Sequence, residues 1–424
     1  MTLLLGTMFL FMFIGIPVAL SIAISGTVYL IFLESVPIAA IAQRMVVGVD
    51  SFTLLAIPLF VMAGDLMSKG DITPKIMRLA SILVGRIPGG LSLVLVVSCM
   101  LFGAISGSGI ADVVAIGSLV VPMMREQRYN MPFTAALLGC SGALSTIIPP
   151  SIVMIILGVT MGISIGKLFL AGIVPGIMLG IGLMIYSWFY AKRENYPCGE
   201  KHTWPEIFVV IKEAILPMGA PLIIVVGFRG GYFTATETGA VLALYALSLS
   251  GFVYRKLTLR AFLGVCYSTA LTSASVLLII AAASLFGWIM ALEEIPRKVA
   301  EMVLSISNSY WPVLLLFNLL LLMLGTFMET IALIIIIVPV FMPLMTQIGV
   351  DPVHLGIIIT VNLAIGANTP PVGVDLMAAC KIADVSYAST FRYVMPLIGV
   401  MMLVMLLIVV FPGLSLWIPN MLIR

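Results

Sequence analysis

Gly103-Ala104-Ile105-Ser106-Gly107-Ser108-Gly109, followed at a distance by Pro149-Pro150, is the stretch on which the reading of this 424-residue chain turns. The pattern returns as Gly325-Thr326-Phe327 followed by Pro370-Pro371. From the first glycine to the first proline is 46 residues in one case and 45 in the other. Proline lacks a backbone N–H, clashes with the preceding turn and pushes its predecessor out of helical geometry. Hydrocarbon cannot satisfy the carbonyls that this frees, so a break at membrane depth persists only where protein, water or a solute supplies partners. Paired breaks in corresponding positions of two halves point to a solute-binding site.

The surrounding composition places these breaks in a membrane. Hydrophobic residues make up 62% of the chain and charged ones 9%, with mean hydropathy +1.24. Soluble domains carry roughly 25% charged residues, so a large soluble enzyme is excluded. No charge occurs over 1–33, 129–166, 261–292 or 393–423. A crossing helix needs about 20 apolar residues, so several of these runs hold a span and something more. The first run has no basic leader and reads as a retained span. The net charge of +3 is spread over loops, without a basic tract for nucleic acid. The five cysteines have no metal-ligand spacing and read as small apolar residues. His202 and His354 fall in polar connections with no nucleophile nearby, which argues against hydrolytic or metal chemistry.

Spans are expected at 3–31, 50–69, 167–191, 213–228, 235–253, 262–292 and 393–417, with interrupted spans at 132–165 and 353–379. Residues 34–48 read as an interfacial helix, and 88–124 and 311–346 as re-entrant helical hairpins. Residues 64–75 align with 287–297 at an offset of 222 to 223, the hairpin breaks at 222 and the proline pairs at 221, which marks an internal duplication. With a cytoplasmic N-terminus, 15 basic residues fall inside and 6 outside, including Arg229 and Arg424 among the latter. The same count puts the open ends of the hairpins on opposite sides, because the span at 213–228 is extra. The repeats are then inverted, each with a hairpin and a discontinuous helix in an all-α polytopic membrane protein, which is a secondary-transporter architecture.

The breaks carry the candidate chemistry. The glycines and serines of 106–109 let carbonyls turn out of helical geometry and leave hydroxyls at a tip, as a hard monovalent cation requires. Ser145 and Thr146, and Asn368 and Thr369, are expected to cap the second half-helices, with the prolines in the first turn. The positive ends of those half-helices would then face an anion at mid-membrane. The ends of the first half-helices at Gly142, Ala143, Gly366 and Ala367 are left for cations. Asp112, Glu329 and Asp375 lie inside apolar stretches, where an unpartnered carboxylate is costly. Ile334 is the repeat counterpart of Asp112, so a role for that aspartate breaks the symmetry. Asp65, Arg229 and Glu237 sit nearer the interface and read as structural.

The segments SGSGIADVVAIGSLVVPMM (106–124), SGALSTIIPPS (141–151) and NLAIGANTPPVG (362–373) resemble the large membrane subunit of tripartite ATP-independent periplasmic (TRAP) transporters, the DctM-like family. The resemblance runs nearly end to end. It implies a sodium-coupled importer of organic acids in the bacterial inner membrane, N-terminus cytoplasmic and C-terminus periplasmic. The implied partners are a small four-helix membrane subunit, absent from this sequence, and a periplasmic substrate-binding protein. It also implies an elevator fold of the ion-transporter type. Residues 86–166 and 293–390 would form the moving domain, and 1–85, 167–292 and 391–424 the scaffold.

By the same resemblance, sodium ligands fall on Ser106, Gly107, Ser108, Ser145, Pro149, Gly325, Thr326, Glu329, Gly366, Asn368 and Thr369. Solute contacts fall on Ser108, Asp112, Thr146, Pro150, Asn368, Thr369 and Pro371. No cofactor beyond Na+ and no transition metal is implied, and there is no Walker-type motif for ATP. Sialic acid and C4-dicarboxylates are the implied solute types. A stand-alone sodium–dicarboxylate symporter or ion antiporter is the alternative, but its Ser-Asn-Thr signature is missing from both tips. An intramembrane hydrolase is disfavoured because no histidine lies in a span.

Overall fold

The computed structural model describes residues 2–33, 37, 39–199, 203–229, 232–306 and 309–422. Glu34, His202 and Arg424 lie outside these residues, as does the side chain of Arg229. The chain begins with α1 (Thr2–Phe13) and α2 (Val18–Leu33), split at Gly15-Ile16-Pro17. The single span expected over 3–31 is therefore two helices, each shorter than a crossing requires. They pack on one another, with Leu4 and Met8 of α1 in one buried cluster with Ile22 and Tyr29 of α2. Pro17 supplies no N–H and Gly15 takes a left-handed turn, which is why the helix stops there.

There follow α3 (Ala39–Val49), a 3-10 turn (Phe52–Leu55) running into α4 (Ala56–Lys69), and the amphipathic α5 (Ile72–Val84). The first hairpin is α6 (Gly90–Ser106) and α7 (Gly109–Glu126). The first interrupted helix is α8 (Met131–Gly142), a 3-10 turn (Ala143–Thr146) and, beyond the prolines, α9 (Ile152–Met161). Next come α10 (Ile165–Arg193), α11 (Trp204–Arg229), α12 (Ala235–Ser248) and α13 (Leu259–Leu292). The second half continues with α14 (Ile295–Ile306), a second helix pair α15 (Tyr310–Gly325) and α16 (Thr330–Gln347), and a second interrupted helix, α17 (Pro352–Gly366) and α18 (Val374–Ala383). The chain closes with α19 (Tyr387–Val410) and α20 (Gly413–Leu422), parted at Pro412, so the span expected over 393–417 is also divided. The span expected at 213–228 is longer, starting at Trp204. Among the described residues, seven helices are long and apolar enough to cross a membrane, and no strand is present.

The duplication is written in the backbone. Asp71 and Glu294, Arg128 and Gly349, and Gly162 and Asp384 form pairs of left-handed residues 221 to 223 positions apart. Asn130 caps α8 through a bond from Phe133 N–H, and Asp351 caps α17 through Val353 and His354 N–H, each with a proline in the first turn. The packing repeats as well. Helix α12 lies along α4 as α2 lies along α13, and α7 packs on α18 as α16 packs on α9. Each half thus closes its apolar surface against the other.

The first half-helices form the centre. Every residue from Phe133 to Gly142 and from His354 to Gly366 is buried. Both are apolar on all sides, and such a helix is stable only when surrounded. Phe133 stacks on Tyr190 of α10 at 3.9 Å between centroids. His354, expected in a polar connection, instead lies in the first turn of α17, where its Nδ1 is 2.7 Å from Ser415 Oγ of α20. Four of the five cysteines are buried or half-buried, and Cys198 is exposed.

Candidate functional site

The two helix-pair tips and the two breaks meet around one cavity of about 420 Å³. Its wall includes Gly107–Ile110 from the first tip, Gly325–Ile331 from the second, Thr146, Ile152 and Val153 from the first break, and Ala367 and Val372–Asp375 from the second. Ala364 of α17, Thr272 and Val276 of α13 and Val18 of α2 complete it. Of the residues singled out from the sequence, Gly107, Ser108, Gly109, Thr146, Gly325, Thr326, Glu329, Ala367 and Asp375 reach this wall. Ser106, Asp112, Ser145, Pro149, Pro150, Gly366, Asn368, Thr369 and Pro371 do not line it.

The expected capping is overturned. Helix α9 starts at Ile152 and is capped by Ser151, whose Oγ accepts from Met154 N–H at 3.2 Å. Helix α18 starts after Gly373, in left-handed geometry. Ser145 and Thr146 instead bond backward, each at 2.7 Å, to the carbonyls of Gly142 and Ala143. Thr369 bonds likewise to Ile365 O at 2.7 Å and Asn368 Nδ2 to Ala364 O at 3.1 Å. The second half-helices restart only beyond the proline pairs, at Ile152 and Val374, where Ser151 and Gly373 hold the N-cap position. These four polar residues therefore decorate the carbonyl ends of the first half-helices, the electronegative pole. Both Pro149-Pro150 and Pro370-Pro371 are cis.

The first tip is welded to the first break. Gly107 is left-handed, and a Cβ on it would lie 2.5 Å from Pro150 O, so only glycine fits. Ile152 N–H donates to Gly107 O at 3.4 Å. Behind the tip, Ser106 Oγ donates to Asp112 Oδ1. The other oxygen of Asp112 is buried without a partner, facing Gly103 where that glycine abuts Ser145. Asp112 is fully buried and stands behind the tip, off the cavity wall. The same close approach occurs in the second half, between Gly325 and Gly366. Asn368 is buried too, and its Oδ1 has no partner beside Gly139 of α8.

Two carboxylates do reach the wall. Glu329 caps α16, its Oε2 accepting from Ile331 N–H at 3.0 Å and Ala332 N–H at 3.1 Å. Asp375 sits in the first turn of α18 against Gly109, where a Cβ would come within 2.9 Å of its Oδ2. Asp375 was legible as an acid just past the proline pair; Thr272 and Thr330 carried no comparable signal.

The starts of α7, α9, α16 and α18 all border the cavity. Each helix start carries roughly half a positive charge, so the site favours an anion without a basic side chain. The carbonyl ends and hydroxyls just behind are acceptors suited to a cation. No cluster of three or more metal-ligating His, Cys, Asp or Glu exists among the described residues.

Comparison with known proteins agrees with this architecture. Residues 5–414 match the family described as tripartite ATP-independent periplasmic transporter, DctM component. The chain is 40% identical to the sialic acid TRAP transporter large permease protein SiaM of Vibrio cholerae over 409 residues, 96% of each chain. It is 39% identical to the isethionate TRAP transporter permease protein DctMQ of Oleidesulfovibrio alaskensis over 415 residues, 98% of this chain but only 65% of that relative's length. The YdaH transporter of Alcanivorax borkumensis, described as having an unusual topology, superposes with a TM-score of 0.65 over 90% of each chain. At 14% identity that likeness concerns the fold alone. The chain belongs to the DctM component family of tripartite ATP-independent periplasmic transporters.

Proposed function

We propose that this chain is the large permease subunit that moves an organic anion, coupled to sodium, through the cavity between the two tips. Membership of the family makes it a transporter permease component and not an enzyme. The observation that carries the finer reading is the convergence of four helix starts on one cavity, backed by two sets of helix carbonyl ends. An anion suits the starts and a monovalent cation the ends. On this reading, Ser106, Asp112 and Ser145 with the carbonyls around Gly142 would hold one sodium ion, and Gly325, Gly366, Asn368 and Thr369 the other. The buried, unpartnered oxygens of Asp112 and Asn368 support a cation in these places.

The coupling is energetically sufficient. Two sodium ions entering with a monovalent anion carry one net charge, worth ~2.3 kcal/mol per 100 mV of potential, plus the sodium gradient twice over. The hairpins and interrupted helices would move as a body against a scaffold of the remaining helices. A small membrane subunit would brace the scaffold and a periplasmic protein would deliver the solute, as the family name implies. The excess of basic residues in loops after α4 supports a cytoplasmic placing of those loops.

Reconstitution with candidate partner proteins and labelled organic acids, with and without an inward sodium gradient, tests the reading. Ser106→Ala and Asn368→Ala should raise the sodium needed for uptake while leaving membrane insertion intact; unchanged sodium activation in both refutes the site. Counterflow by this chain alone would favour the stand-alone symporter.

A further inference from the structure

Where α4 meets the first half of α13, three side-chain oxygens are buried without a hydrogen-bond partner: Asp65 Oδ2, Thr269 Oγ1 and Ser273 Oγ. Thr269 and Ser273 are 7% and 6% exposed. Such hydroxyls can bond back to the carbonyl four residues earlier, as Thr160, Thr360 and Ser275 do at 2.8–2.9 Å. Thr269 and Ser273 make no such bond, so their hydroxyls turn away from their own backbone. Asp65 is joined to no described residue by a hydrogen bond or ion pair. The buried stripe in this part of α13 is Val265, Thr269, Ser273 and Val276, and α4 packs on α13. Helices α2 and α3 touch α13 further along, at Ser284 to Ile289.

The register brings the three together. Lys69, one turn from Asp65 on α4, reaches α13 at Gly264, where a Cβ would lie 3.4 Å from its Nζ. The repeat gives the same level independently. Trp288 stands 223 positions after Asp65, and Arg44 stands 222 and 223 positions before Cys266 and Tyr267. Arg44 of α3 lies over the Trp288 ring of α13 at 4.7 Å. The image of that pair sets Asp65 across from Cys266 and Tyr267, within a turn of Thr269. The second half thus has an aromatic ring with its own fixed cation, and the first half has a carboxylate with none. We propose that the seam between α4 and α13 binds one monovalent cation, held by Asp65 and the hydroxyl oxygens of Thr269 and Ser273, with water completing the shell. One carboxylate balances one charge, whereas calcium takes six to eight oxygens, several of them from carboxylates, and no cluster of three acidic or other metal-ligating residues exists among the described residues. Thr272, next to Ser273, lines the main cavity and gives the seam an entry. The site is separate from both tips, yet it bears on the first, because Gly64 beside Asp65 abuts the backbone of Ser106. Lys69 is exposed and unpaired with Asp65, and its charge opposes the cation.

The test is equilibrium binding of radioactive sodium to the purified full chain, in choline buffer free of potassium, which counts the ions held per chain. Asp65→Asn keeps the shape of the side chain and should remove one equivalent, or raise its half-saturating concentration at least about tenfold. Thr269→Val combined with Ser273→Ala should weaken the same equivalent by about tenfold. Lys69→Gln should strengthen it by about threefold, since a nearby positive charge is taken away. Ser106→Ala with Asn368→Ala weakens any ions at the breaks, and Asp65→Asn added to that pair should still subtract its own equivalent. An unchanged count and affinity in both Asp65→Asn and the hydroxyl pair overturns the site. A loss that vanishes in the Ser106→Ala and Asn368→Ala background overturns it too, because Asp65 would then act through the first tip. Should Asp65→Asn fail to fold, the hydroxyl pair and Lys69→Gln decide, and binding unmoved in both overturns the proposal.

Discussion

The two tips descend from one duplicated sequence yet are built differently. In the first, α6 and α7 run packed along each other, and α6 also lies against α4 and α5. Two residues, Gly107 and Ser108, make the turn. In the second, four residues, Thr326 to Glu329, link α15 to α16. Those arms diverge: α15 packs on α17, while α16 packs on α9, α13 and α14. Phe327 at the second tip is 61% exposed. A Cβ on Gly64 would lie 3.1 Å from the backbone of Ser106, whereas its counterpart Gly287 has nothing within 4 Å. The first tip is clamped between α4 and its break; the second touches its own break at Gly325 and Gly366, while Gly287 of α13 is left clear. Two side chains account for much of this. Asp112 ties to Ser106 where the second half has apolar Ile334, and Glu329 spends its carboxylate on its own helix where the first half has Ser108.

Breaking the clamp should give the largest effect. Gly107→Val forces a branched side chain into left-handed geometry against Pro150 O and should destabilise by about 3 kcal/mol or more. Gly325→Ala meets its nearest atom at 3.4 Å and should stay within about 1 kcal/mol. Thermal unfolding and sodium-driven uptake compare the two, and equal losses would erase the contrast. Asp112→Asn keeps the shape but removes the charge. Bonds to charged groups are worth about 1.5–3 kcal/mol, so the sodium concentration for half-maximal uptake should rise by at least about tenfold. Ile334→Asn, at the mirrored place, should lower stability without that shift.

Glu329→Ala removes a cap, worth about 1 kcal/mol, and lowers the unfolding temperature. Glu329→Gln should recover part of it, since an amide oxygen still accepts from Ile331 and Ala332. The smallest contrast is between α4 and α13: Gly287→Ala should be neutral within about 0.5 kcal/mol, and Gly64→Ala should slow uptake by crowding Ser106. A neutral Gly64→Ala would mean that the first tip is not held there.

Much of the architecture was legible because its signals are local. Charge-free runs, proline pairs and repeated glycines fix where helices can exist and where they stop. The expected spans at 50–69, 167–191, 235–253 and 262–292 correspond to helices or helix runs ending within a few residues of those bounds. The expectation at 3–31 failed because apolar character does not report whether a chain crosses or folds back at Gly15-Ile16-Pro17. The capping roles of Ser145, Thr146, Asn368 and Thr369 failed for a similar reason. A side chain beside a proline pair can bond forward or backward, and composition does not choose.

By itself the sequence determined the duplication, the two pairs of breaks and the membrane setting, because helix propensity, proline geometry and hydrophobicity act over a few residues. Tertiary structure decided which break residues face the cavity, that Asp112 is sealed behind the first tip while Asp375 opens onto the cavity, and that the two tips differ. Those outcomes depend on contacts between residues far apart in the chain, such as Gly109 with Asp375 and Gly139 with Asn368. Such contacts are set by how helices from opposite halves pack, which no local pattern encodes.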